Sequence, residues 1–527
     1  MTLDWFYKLT DWNPQFFREF KGRLKPRNLG VTITTSLLLQ LSIVSYFWMA
    51  LPGNSYTSPN RYCTGPIEYS EHHQCINDAL GNMIINWQRW WFDLFQVLSW
   101  GMPFIMLIAG VYMLIGDLGK EEHKGTLNFI RLTPQSSQSI LLGKILGVPA
   151  IPYLLVGLAI PLHLIAAAGS ERVSVQEVLS IYVLTGVVAS CYFTGALLFA
   201  FLGGLQGWLG AIVVWFSFTM CFQFWQMLTY RNALYPVPDY YWGLPIANRL
   251  GFALAFAVAT FGTATYWFWQ AVNRRFRNPN ATLLSKRQSY WMTTCFEVWL
   301  CGFIFRQLDY PGQRLEDFAV IALINLLWFV LLMAALMPQR QMLLDWARYR
   351  RERVSSAKKF WSQSIIKELV FGEKSPALLA IALNLLIPVA ILMPWIVTWN
   401  NTENQLQACA TMLLGISFVL ICAAIAQIIL FSKAPKRGLW ASGAVGALIF
   451  MPPLVLGVLS FSPSQVPIAW LFSAFALLAL THTSMTTVFA SFLAHLGILA
   501  LLTTRLTRQL RKAGESETKA LLASAKG

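Results

Sequence analysis

Uninterrupted apolar runs, each about twenty residues long, constrain this chain more than any other feature. Val31 to Leu51 and Ala211 to Leu228 are two of them. A helix of that length crosses a hydrocarbon core. A β-barrel is excluded, because its strands alternate in polarity and never run continuously apolar. The expected fold class is therefore all-α, a polytopic membrane protein. Composition agrees: of 527 residues, 56% are hydrophobic and 12% charged, about half the charged fraction usual in soluble domains.

The runs and their punctuation predict about twelve spans, near 29–51, 92–116, 140–168, 178–203, 207–229, 247–271, 290–306, 318–337, 377–398, 406–431, 439–460 and 483–504. Pro467 to Leu480 is apolar but too short to cross, which suits a re-entrant or interfacial helix. The first 27 residues mix Asp4, Asp11 and Glu19 with basic residues, so no cleavable signal is expected and the first span acts as the insertion signal. With the N-terminus inside, the inside segments hold 33 of the 40 Lys and Arg, whereas acidic residues divide almost evenly. That bias sets topology and places both termini in the cytoplasm of a multi-pass cell (inner) membrane protein. It also accounts for the formal charge of +16, so nucleic acid is not an expected partner.

An internal repeat is visible in Glu19-Phe-Lys-Gly22 with Lys25-Pro26, echoed by Glu368-Leu-Val-Phe-Gly372 with Lys374 and Pro376. Each leads into an apolar run. The predicted organisation is a membrane module at 1–289, two linking helices and a basic linker at 290–359, a second module at 360–510 and a tail at 511–527.

Three segments outside the spans carry candidate chemistry. Asn13 to Leu24 places Phe16, Phe17, Phe20 and Leu24 at helical spacing with Arg18, Lys21 and Arg23 between them, an amphipathic helix for the inner membrane surface. The inner loop from Lys120 to Ser136 opens with Glu121 and Glu122, crowds Leu127, Phe129, Ile130 and Leu132 together, and closes on Pro134. A short helix with apolar side chains in an aqueous loop needs a partner surface. In the outer loop, Cys63 and Cys75 are candidates for a disulfide, since that side of a bacterial inner membrane is oxidising.

These segments resemble the ABC-2 type permeases of bacterial ABC transporters. Asn13-Pro14, Arg18-Glu19 and the basic cluster Arg23 to Arg27 are similar to that family's connecting helix. Glu121/Glu122, Gly125-Thr126-Leu127, Pro134 with Ser136, and Ile140 to Lys144 match its coupling loop in order and spacing. The resemblance covers about the first 270 residues. In the second module Ser432 to Gly438 stands where a second coupling helix belongs, and seven residues are too few to form one.

The resemblance implies a permease subunit, an exporter rather than an enzyme, driven by a separate ABC ATPase. Glu121, Glu122, Gly125, Thr126, Leu127, Phe129, Ile130, Leu132 and Pro134 would form the coupling site, and Phe16, Phe17, Glu19 and Phe20 the connecting helix. A second permease copy is a further candidate partner. ATP and Mg would bind the ATPase and no cofactor this chain, which lacks the phosphate-binding loop: Gln138 stands where the first glycine is needed, and Ile145 follows Gly143-Lys144.

Other readings rest on single residues. Glu297 lies inside an apolar run, and intramembrane carboxyl groups face a cavity or a partner. A membrane-embedded transferase would draw on His163, Glu297 and His482, and a scaffold would use the basic linker 338–376. His72, His73 and Cys75 are close in sequence, but no second pair has metal-ligand spacing, so no metal site is expected.

Overall fold

The computed structural model describes residues 12–53, 59–69, 72–78, 82–229, 240–246, 249–304, 314–354 and 365–513. Part of the predicted basic linker, at 355–364, and the tail beyond 513 lie outside them.

The chain is an all-α, multi-pass membrane protein. Its elements run α1 (Pro14–Arg23), α2 (Pro26–Met49), β1 (Ile67–Tyr69), β2 (His72–His73), α3 (Trp87–His123), α4 (Thr126–Arg131), α5 (Ser137–Gly147), α6 (Ala150–Gly157), α7 (Ile160–Ser170), α8 (Val175–Phe201), α9 (Gly207–Thr229) and α10 (Leu250–Arg277). They continue with α11 (Lys286–Ile304), α12 (Arg314–Leu336), α13 (Arg340–Val354), α14 (Ile365–Phe371), α15 (Leu378–Val397), α16 (Thr402–Phe431), α17 (Arg437–Val458), α18 (Pro467–Leu471), α19 (Leu477–Leu480) and α20 (Met485–Ala513).

Among the described residues, ten helical stretches are long and apolar enough to cross a bilayer: α2, α3, α6 with α7, α8, α10, α12, α15, α16, α17 and α20. The other two expected spans, 207–229 and 290–306, fall on the helices α9 and α11, with residues 305 and 306 outside the described residues. Pro467 to Leu480 forms two short helices, α18 and α19, neither of spanning length.

The expected third span, 140–168, is divided. Its first part is α5, which ends at Gly147; the spanning stretch is Ala150–Ser170. Hydropathy cannot separate the two, because α5 buries Ile140, Leu141 and Ile145 against protein rather than lipid, and it also carries Gly143 and Gly147. These glycines admit α1 at very close range. A Cβ at Gly143 would lie 2.7 Å from the Phe16 nitrogen, and one at Gly147 would lie 2.6 Å from the Glu19 Cβ.

The chain divides into two compact units, Met1–Asp239 with Pro245–Arg277, and Tyr240–Leu244 with Asn278–Gly527. In the first, α3 is central and packs on α7, α8 and α9, while α8 also packs on α10. In the second, α16 packs on α12, α15, α17 and α20, and α11 packs on α15.

Candidate functional site

The inner loop begins as a continuation of α3, which stays helical through Glu121 and Glu122 to His123. Gly125 then takes φ +71°, a left-handed conformation that costs glycine little. This turn starts α4, whose six residues are closed by Thr133, its hydroxyl donating to the Ile130 carbonyl at 2.7 Å. The Thr126 hydroxyl donates to the Glu121 carbonyl at 3.2 Å. Pro134 follows, and the Ser136 hydroxyl caps α5 by accepting from the Ser139 amide.

On α4 the apolar residues separate into two faces. Leu127 and Ile130, three apart, are each 5% exposed and join the core of the first unit with Leu118, Ile140 and Phe276. Phe129 and Leu132, also three apart, are 74% and 84% exposed. Leu127 and Ile130, expected from sequence at a partner surface, are buried in the chain's own core. They hold the helix to its own chain, and only Phe129 and Leu132 are left outward. Arg131 hydrogen-bonds Asn128 and lies 5.6 Å from the Phe276 ring, so it too is turned toward the chain.

Beside this loop, α1 is positioned from its first residue. The Asn13 side chain accepts from the Phe16 amide at 3.0 Å, and Pro14 starts the helix where an amide hydrogen is not needed. The Asn13 amide group also donates to the Ser139 carbonyl at 2.8 Å, tying α1 to α5. Phe16, Phe17 and Phe20 are half-buried, and Gln15 is buried. The helix expected on the membrane surface is thus seated largely on α5.

Between α1, α3 and α5 sits an ionic cluster. The Lys144 ammonium, on a fully buried residue, lies 2.8 Å from Glu121, 2.9 Å from Asp117 and 3.8 Å from Glu19. Arg23 pairs with Asp117 and also reaches Glu19, at 3.7 Å. Arg18 bridges Glu19 at 3.1 Å and Glu121 at 3.3 Å. Three cations therefore face three carboxylates, the six groups together drawn from three helices. The carboxylates of Glu19, Asp117 and Glu121 come within 4.8 Å of one another, as metal ligands would. Lys144 already supplies the positive charge at their centre, so a metal ion would have to displace it.

Asp117 and Lys144 were not singled out as site residues by sequence. Asp117 and Glu121 are four apart on one helix, which marks a shared face, but nothing local links them to Lys144. Glu122 is exposed and takes no part in the cluster's ion pairs.

The remaining candidates are dispersed. Cys63 and Cys75 are joined by a disulfide, with Cα atoms 4.8 Å apart. Beside it, burial and the Asp93 carboxylate push the Tyr62 phenol up to about 12. His73 hydrogen-bonds the Gly65 carbonyl at 2.8 Å. His163 is buried in the first unit between Ser99 and Tyr182, 2.8 Å from each. Glu297 and His482 belong to the second unit, the first fully buried and the second exposed.

Comparison with protein-family models, curated proteins and solved structures finds no match to this chain.

Proposed function

We propose that this chain is the permease subunit of an ATP-driven exporter whose ATPase is a separate protein, and that α4 is where the ATPase docks. The observation that carries this reading is the division of α4. One apolar face is spent on anchoring the helix, and the other, Phe129 and Leu132, is left uncovered. Exposed aromatic and aliphatic side chains on a fixed helix suit insertion into a groove of a partner.

Coupling then follows from the attachments. A push on α4 passes through Gly125 into α3, and the Lys144 cluster carries α1 and α5 with it. ATP and Mg on the ATPase supply the energy, and the ATPase must bind the two transport states with different free energies. This reading takes the chain as twelve-spanning in a cell (inner) membrane, with both termini cytoplasmic.

A photo-reactive residue at position 129, introduced into the chain in its native membrane, tests the docking. Crosslinking to a protein that carries a phosphate-binding loop, with none from position 127, is the expected result. A folded chain that captures no such protein from position 129 would refute the proposal.

A further inference from the structure

The second unit holds a partly open cavity of about 170 Å³ between α12, α15, α16 and the stretch from the end of α18 into α19. Its walls are almost wholly apolar; Phe318, Phe329, Leu385 and Leu392 are among them. Only Asn325, Thr411 and Ser473 bring polar side chains to it. Two of these are occupied locally, the Thr411 hydroxyl donating to the Gln407 carbonyl and the Ser473 hydroxyl to the Trp470 carbonyl.

Asn325 differs. It is 9% exposed, its amide nitrogen donates to the Glu297 carboxylate at 3.4 Å, and its Oδ1 accepts from no group among the described residues. Behind it Glu297 is fully buried, and its Oε1 is likewise without a hydrogen-bond partner. One such acceptor, on Asn325, stands at the wall of an apolar cavity and a second, on Glu297, is buried behind it, with no donor to either among the described residues. A buried acceptor left unmade is costly, so the arrangement calls for a ligand that donates. The neighbouring carboxylate favours a positively charged donor. A hard metal ion needs six or more oxygen ligands, and the described lining brings three oxygen-bearing side chains, Asn325, Thr411 and Ser473.

Size narrows the choice. An apolar cavity of about 150 Å³ takes a benzene-sized guest, so this one accommodates a single ring or a short chain. Leu323 and Leu478, both lining residues, are exposed, which leaves an entrance at the surface of the unit.

We propose that the second unit binds a small amphipathic amine, its ring or chain filling the cavity and its ammonium donating to Asn325 Oδ1 in front of the Glu297 carboxylate. The site needs no ATPase, so it stands or falls separately from the permease reading.

Equilibrium dialysis of radiolabelled 2-phenylethylamine against the full chain in detergent, with a detergent-only control, tests it. One saturable site per chain is expected, with 3-phenylpropionate competing at least tenfold more weakly than unlabelled amine. Glu297→Gln should weaken amine binding at least tenfold and leave 2-phenylethanol unaffected. Ala322→Phe, which fills the cavity while sparing the carboxylate, should abolish binding of both. Competition by the carboxylate equal to that by the amine, which requires no variant, overturns the proposal. So does unchanged amine binding in Glu297→Gln, or no saturable binding because a lipid or detergent chain holds the cavity.

Discussion

Replacing Lys144 by Met should be among the most damaging single changes in the first unit. The ammonium is fully buried and lies within 2.9 Å of both Asp117 and Glu121. Methionine keeps much of the length and removes the charge. Asp117 then retains Arg23, but Glu121 retains only Arg18, whose side chain is 54% exposed. Removing one partner of a buried ion pair costs about 3–5 kcal/mol, because the other charge stays buried and uncompensated. Arg18→Ala, at the exposed rim, should cost about 0–1 kcal/mol. Thermal unfolding of the purified chain in detergent, together with its level in the membrane, would measure the difference. Adding Asp117→Asn and Glu121→Gln to Lys144→Met should restore most of the loss, since the stranded charges are gone. A Lys144→Met chain as stable as Arg18→Ala would refute the idea that the cluster holds α1, α3 and α5 together.

Three further outcomes follow from the geometry. Gly147→Leu should destabilise the chain by about 1–3 kcal/mol, because even the first side-chain carbon meets Glu19 at 2.6 Å; unfolding in detergent would show it. Loss of the Cys63–Cys75 bridge, which closes a separation of 12 residues, should cost about 2–3 kcal/mol, read as a lower unfolding temperature in reductant or in Cys63→Ser. On the proposed topology, with both termini cytoplasmic, an impermeant thiol reagent on intact cells should label Cys75, half-buried in the outer loop, after reduction, and should leave unlabelled a Ser355→Cys variant whose other cysteines are replaced, residue 355 itself lying outside the described residues.

What could be read from sequence was set by distance along the chain. Apolar runs such as Val31 to Leu51 announce helices directly, because length and polarity are local properties. The limit shows at α5. Ile140, Leu141 and Ile145 measure avoidance of water, and they cannot tell a lipid neighbour from a protein one. The two faces of α4 were also implicit, since 127 with 130 and 129 with 132 each sit one turn apart. Which face turned inward depends on Ile140 and Phe276, remote in sequence. The Lys144 cluster joins α1 and α5 through Glu19 and Lys144, and beside it Asn13 bonds Ser139 across 126 positions; no periodicity reports either. On α11, Ser289, Thr293 and Glu297 fall on one face by spacing alone. Their partners, Asn384 and Asn325, come from other helices.

In the proposed docking Phe129 and Leu132, rather than Leu127 and Ile130, would meet the ATPase. The direct measurement is ATPase co-purification with the Phe129→Asp, Leu132→Asp double variant, alongside its level in the membrane. Charges on the exposed face leave the chain's own core untouched but would be buried unpaired in the partner's groove. A chain present at its normal level and stripped of ATPase is the expected result, whereas Leu127→Asp, Ile130→Asp should lower the level of the chain itself. Normal ATPase retention by the Phe129, Leu132 variant would contradict the proposed docking.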